Sequence, residues 1–275
     1  MRKIFEYNTE LLVGQDAGLV VSIGDGELAC IVINEASEKV DAMEVFAFDK
    51  DDTDWHEAFE SIRSSSHLIG KTYARISHYY TCPEAMIVPK DKFTDGAAAD
   101  YLALVHGDNR LNYIHHDDLN GHELVTAYRI AKTLQDTLSR QHSTAQVQHV
   151  FSPLLKKLLQ REALPAHFFK VQLYRRQMIL AYLKEGKLQL IRAGCYAVME
   201  DILYAIAGII QQFHIPEREA VVELSGVLPD GNQLAELLKR IVAAVRFDEV
   251  TEEQFLAASA DHPAYYFSPF YNLAL

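Results

Sequence analysis

The chain lacks a cysteine pair, a bilayer-length apolar run and any excess of positive charge. Its three cysteines, Cys30, Cys82 and Cys195, lie far apart and form no C-x-x-C unit. An odd, scattered set suits buried thiols in a reducing compartment rather than a disulfide framework. The most apolar stretch, ILYAIAGII at 202–210, falls far short of the roughly 20 residues that span a bilayer. It therefore reads as a buried helix, and no membrane insertion is expected. Residues 1–12, MRKIFEYNTELL, carry basic residues without an apolar core, so no signal peptide is expected either. These absences together lead us to expect a cytoplasmic protein. A formal net charge of -12 repels a phosphate backbone and argues against nucleic acid as a partner. The densest basic cluster, LKKLLQR at 155–161, reads as the solvated face of an amphipathic helix.

What is present is a chain of 275 residues, 49% of them hydrophobic, enough for one large domain or two lobes. From Gly18 it reads GLVVSI, GDGE, LACIVI, NEASEKV, DAMEVFAF. Three β-branched or aromatic runs between turn residues predict a three-stranded antiparallel meander. Asp25-Gly26 predicts a two-residue hairpin turn of type I′, which needs positive φ at both central positions. A similar pattern returns about 150 residues on: FFKVQLYR (168–175), QMILAYL (177–183) and KLQLIRAG (187–194), with Glu185-Gly186 as a turn.

Helical spacing of Met199, Ile202, Leu203, Ile206, Ile209, Ile210 and Phe213 predicts an amphipathic helix over 197–213. A strand over 220–225, a helix over 231–243, a short strand within AAVRFDEV and a helix over 251–259 complete the second half. The first half shares this skeleton: its meander is followed by helix 54–65, then helix 131–140, strand 146–151 and helix 152–163. Most of residues 72–122 read as an insertion between those helices. The repeated order implies two related lobes, 1–164 and 165–275, divided at Leu164-Pro165 because helix 152–163 ends before the proline. The tail ADHPAYYFSPFYNLAL (260–275) is too aromatic for a disordered segment. It is expected to dock on the body, burying Tyr266 or Phe267 together with Phe270.

Two lobes of this order resemble the actin-like ATPase fold, an α/β architecture built from a duplicated ribonuclease-H-like domain. More closely, AMIVPKDKF (85–93), LVTAYRI (124–130), AQVQHVFSPLLKKL (145–158) and the meander at 170–194 resemble a bacterial family of uncharacterised proteins, domain-of-unknown-function family 3822. That family brings no activity with it, but the resemblance allows the superfamily's nucleotide elements to be checked residue by residue. The first phosphate loop of the ATPases is D-x-G, whose aspartate holds the metal. Here Ser22-Ile23-Gly24 stands in its place, and Asp25 is a hairpin residue. Serine keeps the turn but lacks the charge that would organise Mg²⁺. At the second loop Arg175-Arg176 replaces Asp-Gly, so nothing coordinates a metal. The third element, VVELSGVLPDG (221–231), keeps only Ser225 and Gly226 of the small residues that lie against adenine and ribose. Its plainer reading is a chain turn at Gly226, a Pro229-Asp230-Gly231 turn and a helix capped by Asn232.

Other motif matches carry less. GDGELA (24–29) fits G-x-G-x-x-A but runs into a strand rather than opening a helix, and SSSHLIGKT (64–72) lacks the first glycine of a P-loop. HHDDLNGHE (115–123) reads as an exposed polar turn. His115 and His116, being adjacent, would face opposite sides of a strand, and only a folded-back loop would bring His116, Asp118 and His122 together. No catalytic residue, cofactor or metal site is expected. Ser22, Gly24, Asp25, Ser225 and Gly226 remain as vestigial cleft positions. The functional expectation is a catalytically inactive binding or assembly module with an unknown protein partner. A divergent ATPase or small-molecule kinase, or a sensor of a small ligand in the cleft, are the alternatives.

Overall fold

The computed structural model describes residues 1–8, 17–34, 39–48, 54–216, 218–228, 231–250 and 262–274, with backbone alone at 231 and 232. Four strands open the chain: β1 (Arg2–Asn8), β2 (Ala17–Gly24), β3 (Glu27–Asn34) and β4 (Lys39–Ala47). Helix α1 (Trp55–Ser65) leads to β5 (Arg75–Tyr80). It starts on an Asp54 cap whose carboxylate accepts the amides of His56 (2.9 Å) and Glu57 (3.3 Å). Then come β6 (Ala85–Pro89), α2 (Ala98–His106), β7 (Asn112–Leu119), β8 (Leu124–Ala131), α3 (Lys132–Gln141), β9 (Gln146–His149) and α4 (Phe151–Leu159). The second half consists of β10 (His167–Leu173), β11 (Gln177–Lys184), β12 (Lys187–Cys195), α5 (Met199–Gln212), β13 (Ala220–Gly226), α6 (Gly231–Leu238), β14 (Ala244–Phe247) and α7 (Ala264–Ala274).

Two sheets share one plan. In the first, β4-β3-β2-β5-β9 run in that order, with β1 added at the edge beside β4. In the second the order is β12-β11-β10-β13-β14. Both pair antiparallel within the meander and parallel through the two later strands. This is the duplicated, two-lobed actin-like arrangement. A third sheet, β6-β8-β7, is antiparallel. It corrects the extent of the inserted material: the added sheet spans 85–131, while β5, read as part of the insertion, pairs with β2 in the main sheet.

Continuous apolar runs mark strands covered on both faces. Along β11, Ile179, Ala181 and Leu183 face one hydrophobic cluster, while Met178, Leu180 and Tyr182 face another. The second cluster lies under α5, whose Ile202, Ala205, Ile206 and Ile209 are buried at helical spacing. The first cluster is shared: Leu19, Val21 and Ile31 of the first sheet belong to it together with Phe168, Ile179 and Leu183 of the second. The two lobes are therefore joined through one core.

Helix α7 packs against β13, α4, β2 and β3 and so touches both sheets. Tyr266, Phe267 and Phe270 are buried there. Polar bonds hold it as well. Lys170 on β10, 1% exposed, pairs with Glu223 (3.0 Å) and with Asp248, and Asp248 accepts from Ser268 of α7 (2.6 Å).

Two turn expectations have definite outcomes. At Asp25-Gly26 only Gly26 has positive φ (86°), whereas Glu185 (49°) and Gly186 (73°) both do. The type I′ turn is therefore in the second meander, and the Asp25 amide donates across the lobes instead. Helix α6 stops at Leu238, short of the expected 243, because β14 must begin at Ala244 beside Val221. Helix α6 already includes Gly231, so Asn232 lies in its first turn rather than at its cap, which corrects that expectation. The expected helix at 251–259 and the Pro229-Asp230 turn lie outside the described residues. Among the described residues, no helix is long and apolar enough to cross a membrane.

Candidate functional site at the lobe interface

Three chain reversals meet where the lobes join: the β2–β3 turn, the β10–β11 loop and the end of β13. Ser22 does not face open space. It is 3% exposed, between Ala29 of β3 and Tyr79 of β5 in the sheet. A Cβ on Gly24 would stand 2.6 Å from the Thr81 hydroxyl, so this glycine is needed for a contact inside the protein. That hydroxyl donates to Gln177 Oε1 (2.7 Å), which also accepts the Asp25 amide (3.2 Å). Gln177 begins β11 and is 2% exposed, so one buried amide from the second lobe holds the turn of the first. The aliphatic stem of Arg176 lies over Gly26, with Cδ 3.0 Å from where a Cβ would be.

The third element closes in the same way. Gly226 has φ 95°, and a Cβ there would be 1.9 Å from the Leu173 carbonyl oxygen. The Val227 amide donates to that oxygen at 2.8 Å. The approach of β13 to β10 is by itself enough to demand glycine here. Ser225 is fully buried in β13, and Val227 and Leu228 each pack on one of the two clusters. The Tyr196 hydroxyl donates to Tyr174 O (2.6 Å) and lies 3.2 Å from Val227 O, tying the α5 side to the same junction.

One titratable group here has no counterpart in the sequence-based expectations. Glu27, the first residue of β3, is 2% exposed, and neither carboxylate oxygen has a hydrogen-bond partner. Burial pushes its carboxyl up to about 7; the Arg175 amide and guanidinium draw it down by less, the amide approaching without reaching hydrogen-bond geometry. Its charge also adds to the rise of the Tyr174, Tyr196 and Tyr266 phenols, each raised chiefly by burial. The only local signal of Glu27 was a charge opening an otherwise apolar strand.

The histidine-rich run belongs to β7 as far as Leu119, which corrects its reading as an exposed turn. His115 meets Gln135 (2.7 Å) on one side, while His116 lies 3.6 Å from Asp95 on the other. Asp118 pairs with Lys90 (2.5 Å). Asp117, between them, is buried and accepts from the His149 amide (2.7 Å), Ser152 (2.7 Å) and Tyr128 (2.9 Å). Those bonds use the carboxylate as a brace between the added sheet and α4. No group of three or more His, Cys, Asp or Glu among the described residues is placed to hold a metal ion.

Residues 10–245 match the model of the family described as protein of unknown function DUF3822. The chain belongs to this family. A protein of unknown function with an actin-like ATPase fold from Bacteroides thetaiotaomicron is similar to it at 14% identity and a TM-score of 0.78, covering 94% of this chain and 96% of that one. The PilM-PilN type IV pilus biogenesis complex contains a chain similar at 12% identity and TM-score 0.59, with 96% and 98% covered. The ethanolamine utilization protein EutJ from Carboxydothermus hydrogenoformans is similar at 9% identity and TM-score 0.52, with 94% and 89% covered. At such identities the likeness is one of fold. No curated protein matches the sequence.

Proposed function

We propose that this DUF3822 member is a non-catalytic, cytoplasmic protein of the actin-like fold that works as a binding or assembly module for a protein partner. The observation that carries this reading is the junction itself. The positions that cradle Mg-nucleotide in the ATPases are here engaged by Gln177, Arg176 and the Leu173 carbonyl, contacts between or within the lobes. Ser22 and Arg175 stand where metal-ordering aspartates would be, and a triphosphate without its metal would also meet the buried carboxyl of Glu27. PilM, a protein of similar fold, occurs in a complex with PilN, and this supports protein contact as the mode of action. We place the lobe division at Leu164-Pro165, between α4 and β10.

Melting curves with and without Mg-ATP, run beside a phosphate-release assay, test the reading. A ligand specific for the folded state stabilises it by RT ln(1 + [L]/Kd). With Kd above about 1 mM, about 1 mM ATP adds less than ~0.4 kcal/mol, a shift of about a degree or less. A reproducible rise of several degrees, or steady phosphate release, would restore the ATPase alternative.

A further inference from the structure

Beside the Asp25-Gly26 turn the junction leaves a cavity of about 220 Å³. Trp55 of α1, Ile130 of β8 and Leu134 of α3 give it apolar walls, and Gln177 closes it from the second lobe. Two side chains that line it carry buried polar atoms with no partner. Arg129 is 3% exposed; its Nη1 donates to Gly107 O (2.7 Å) and Glu84 (3.3 Å), but its Nε–H has no acceptor. The Tyr80 hydroxyl, on a residue 1% exposed, is likewise unpartnered.

Buried polar groups are rarely left in this state, and ordered water or a ligand is the usual remedy. Apolar walls with a few convergent polar groups are the anatomy of a small-molecule site. The charges narrow the ligand further. Against the single cation of Arg129 the lining sets two carboxylates, Glu84 and Asp25. A simple anion would meet net negative charge, and a simple cation would leave the Arg129 and Tyr80 donors unmet. A zwitterion answers both. The volume is that of about seven waters, which suits on the order of ten non-hydrogen atoms.

We propose that this cavity binds a free α-amino acid with an apolar side chain. Its carboxylate accepts from Arg129 Nε–H and the Tyr80 hydroxyl, its ammonium group turns toward Glu84 or Asp25, and its side chain packs against Trp55, Ile130 and Leu134. Such a site needs no nucleotide, so it stands or falls separately from the non-catalytic reading.

The test uses the intact protein with leucine, isoleucine, valine, methionine and phenylalanine, and with glutamate and lysine as controls. At about ten times Kd an apolar amino acid should raise the melting temperature by about 2–3 °C, with one-to-one binding by calorimetry. Tyr80→Phe removes a hydroxyl that bonds no described residue, so the unliganded protein should melt at or slightly above the parent temperature. Its affinity should nevertheless fall about ten-fold, the loss of one hydrogen bond to a charged group. Ala131→Leu, at the cavity wall, should abolish binding while the protein stays folded. Three results would overturn the assignment: no apolar amino acid binding more tightly than about 10 mM, affinity unchanged by Tyr80→Phe, or controls that bind as well as leucine. A structure solved with leucine that shows only water in the cavity would do so too.

Discussion

Replacing Glu27 by glutamine should stabilise the protein at alkaline pH and leave it nearly unchanged in mild acid. The carboxyl is buried, has no hydrogen-bond partner, and is raised from 4.5 to about 7. A folded state that holds this proton more tightly than the unfolded chain gains stability from it below the unfolded value. That gain is lost progressively as pH rises from 4.5 to about 7, and stability from this group is level above. At 1.36 kcal/mol per unit, the ionised carboxylate costs about 3 kcal/mol. Glutamine keeps the shape and cannot ionise, so at about pH 8 the substitution should recover most of that sum. For a chain of this size that is a rise of roughly 6 °C or more in melting temperature. Parallel melts of the two proteins across the pH range give the answer as a difference, which cancels every other titrating group. A difference constant with pH, or a glutamine protein that is the less stable one at about pH 8, would refute a costly buried charge at Glu27. Either result would mean that Arg175 satisfies the carboxylate after all.

His78 and His142 face each other in the first lobe at 2.9 Å, and burial lowers His78 from 6.5 to about 3. Their contribution is present above pH 6.5 and lost as pH falls toward 3, so by about pH 5 it should have dropped by ~2 kcal/mol, read from urea midpoints against His78→Gln. Gly226→Ala puts a Cβ 1.9 Å from the Leu173 oxygen at φ 95°, and should destabilise by more than about 3 kcal/mol or prevent soluble expression; a variant that melts normally would refute the close approach. Lys170→Met leaves Asp248 with only the Ser268 hydroxyl and Glu223 with only Arg161 among the described residues, and should lower stability by about 3 kcal/mol in chemical denaturation. A loss below about 1 kcal/mol would show that water already reaches the pair.

Local chemistry made much of the architecture legible. GLVVSI, LACIVI and DAMEVFAF alternate too little for exposed strands and are bounded by turn residues, so both meanders could be read directly. The spacing of Ile202, Ile206 and Ile209 did the same for α5. Strand β1 escaped because KIFEY is a half-exposed edge, where one polar face and one apolar face look like any surface segment. Strand β5 was grouped with the insertion because sheet membership is a long-range property: RISHYY pairs with β2, whose residues lie more than fifty positions earlier. At the junction, the sequence offered only residue types: a serine at position 22 and two arginines at 175 and 176. They could not say what occupies the space. That was decided by Gln177 reaching Asp25 across 152 residues, by Thr81 against Gly24, and by Glu27 closed in without a partner. Periodicity and turn chemistry act over a few neighbouring residues and leave their mark there, whereas a contact between two lobes is created only when the chain folds back on itself.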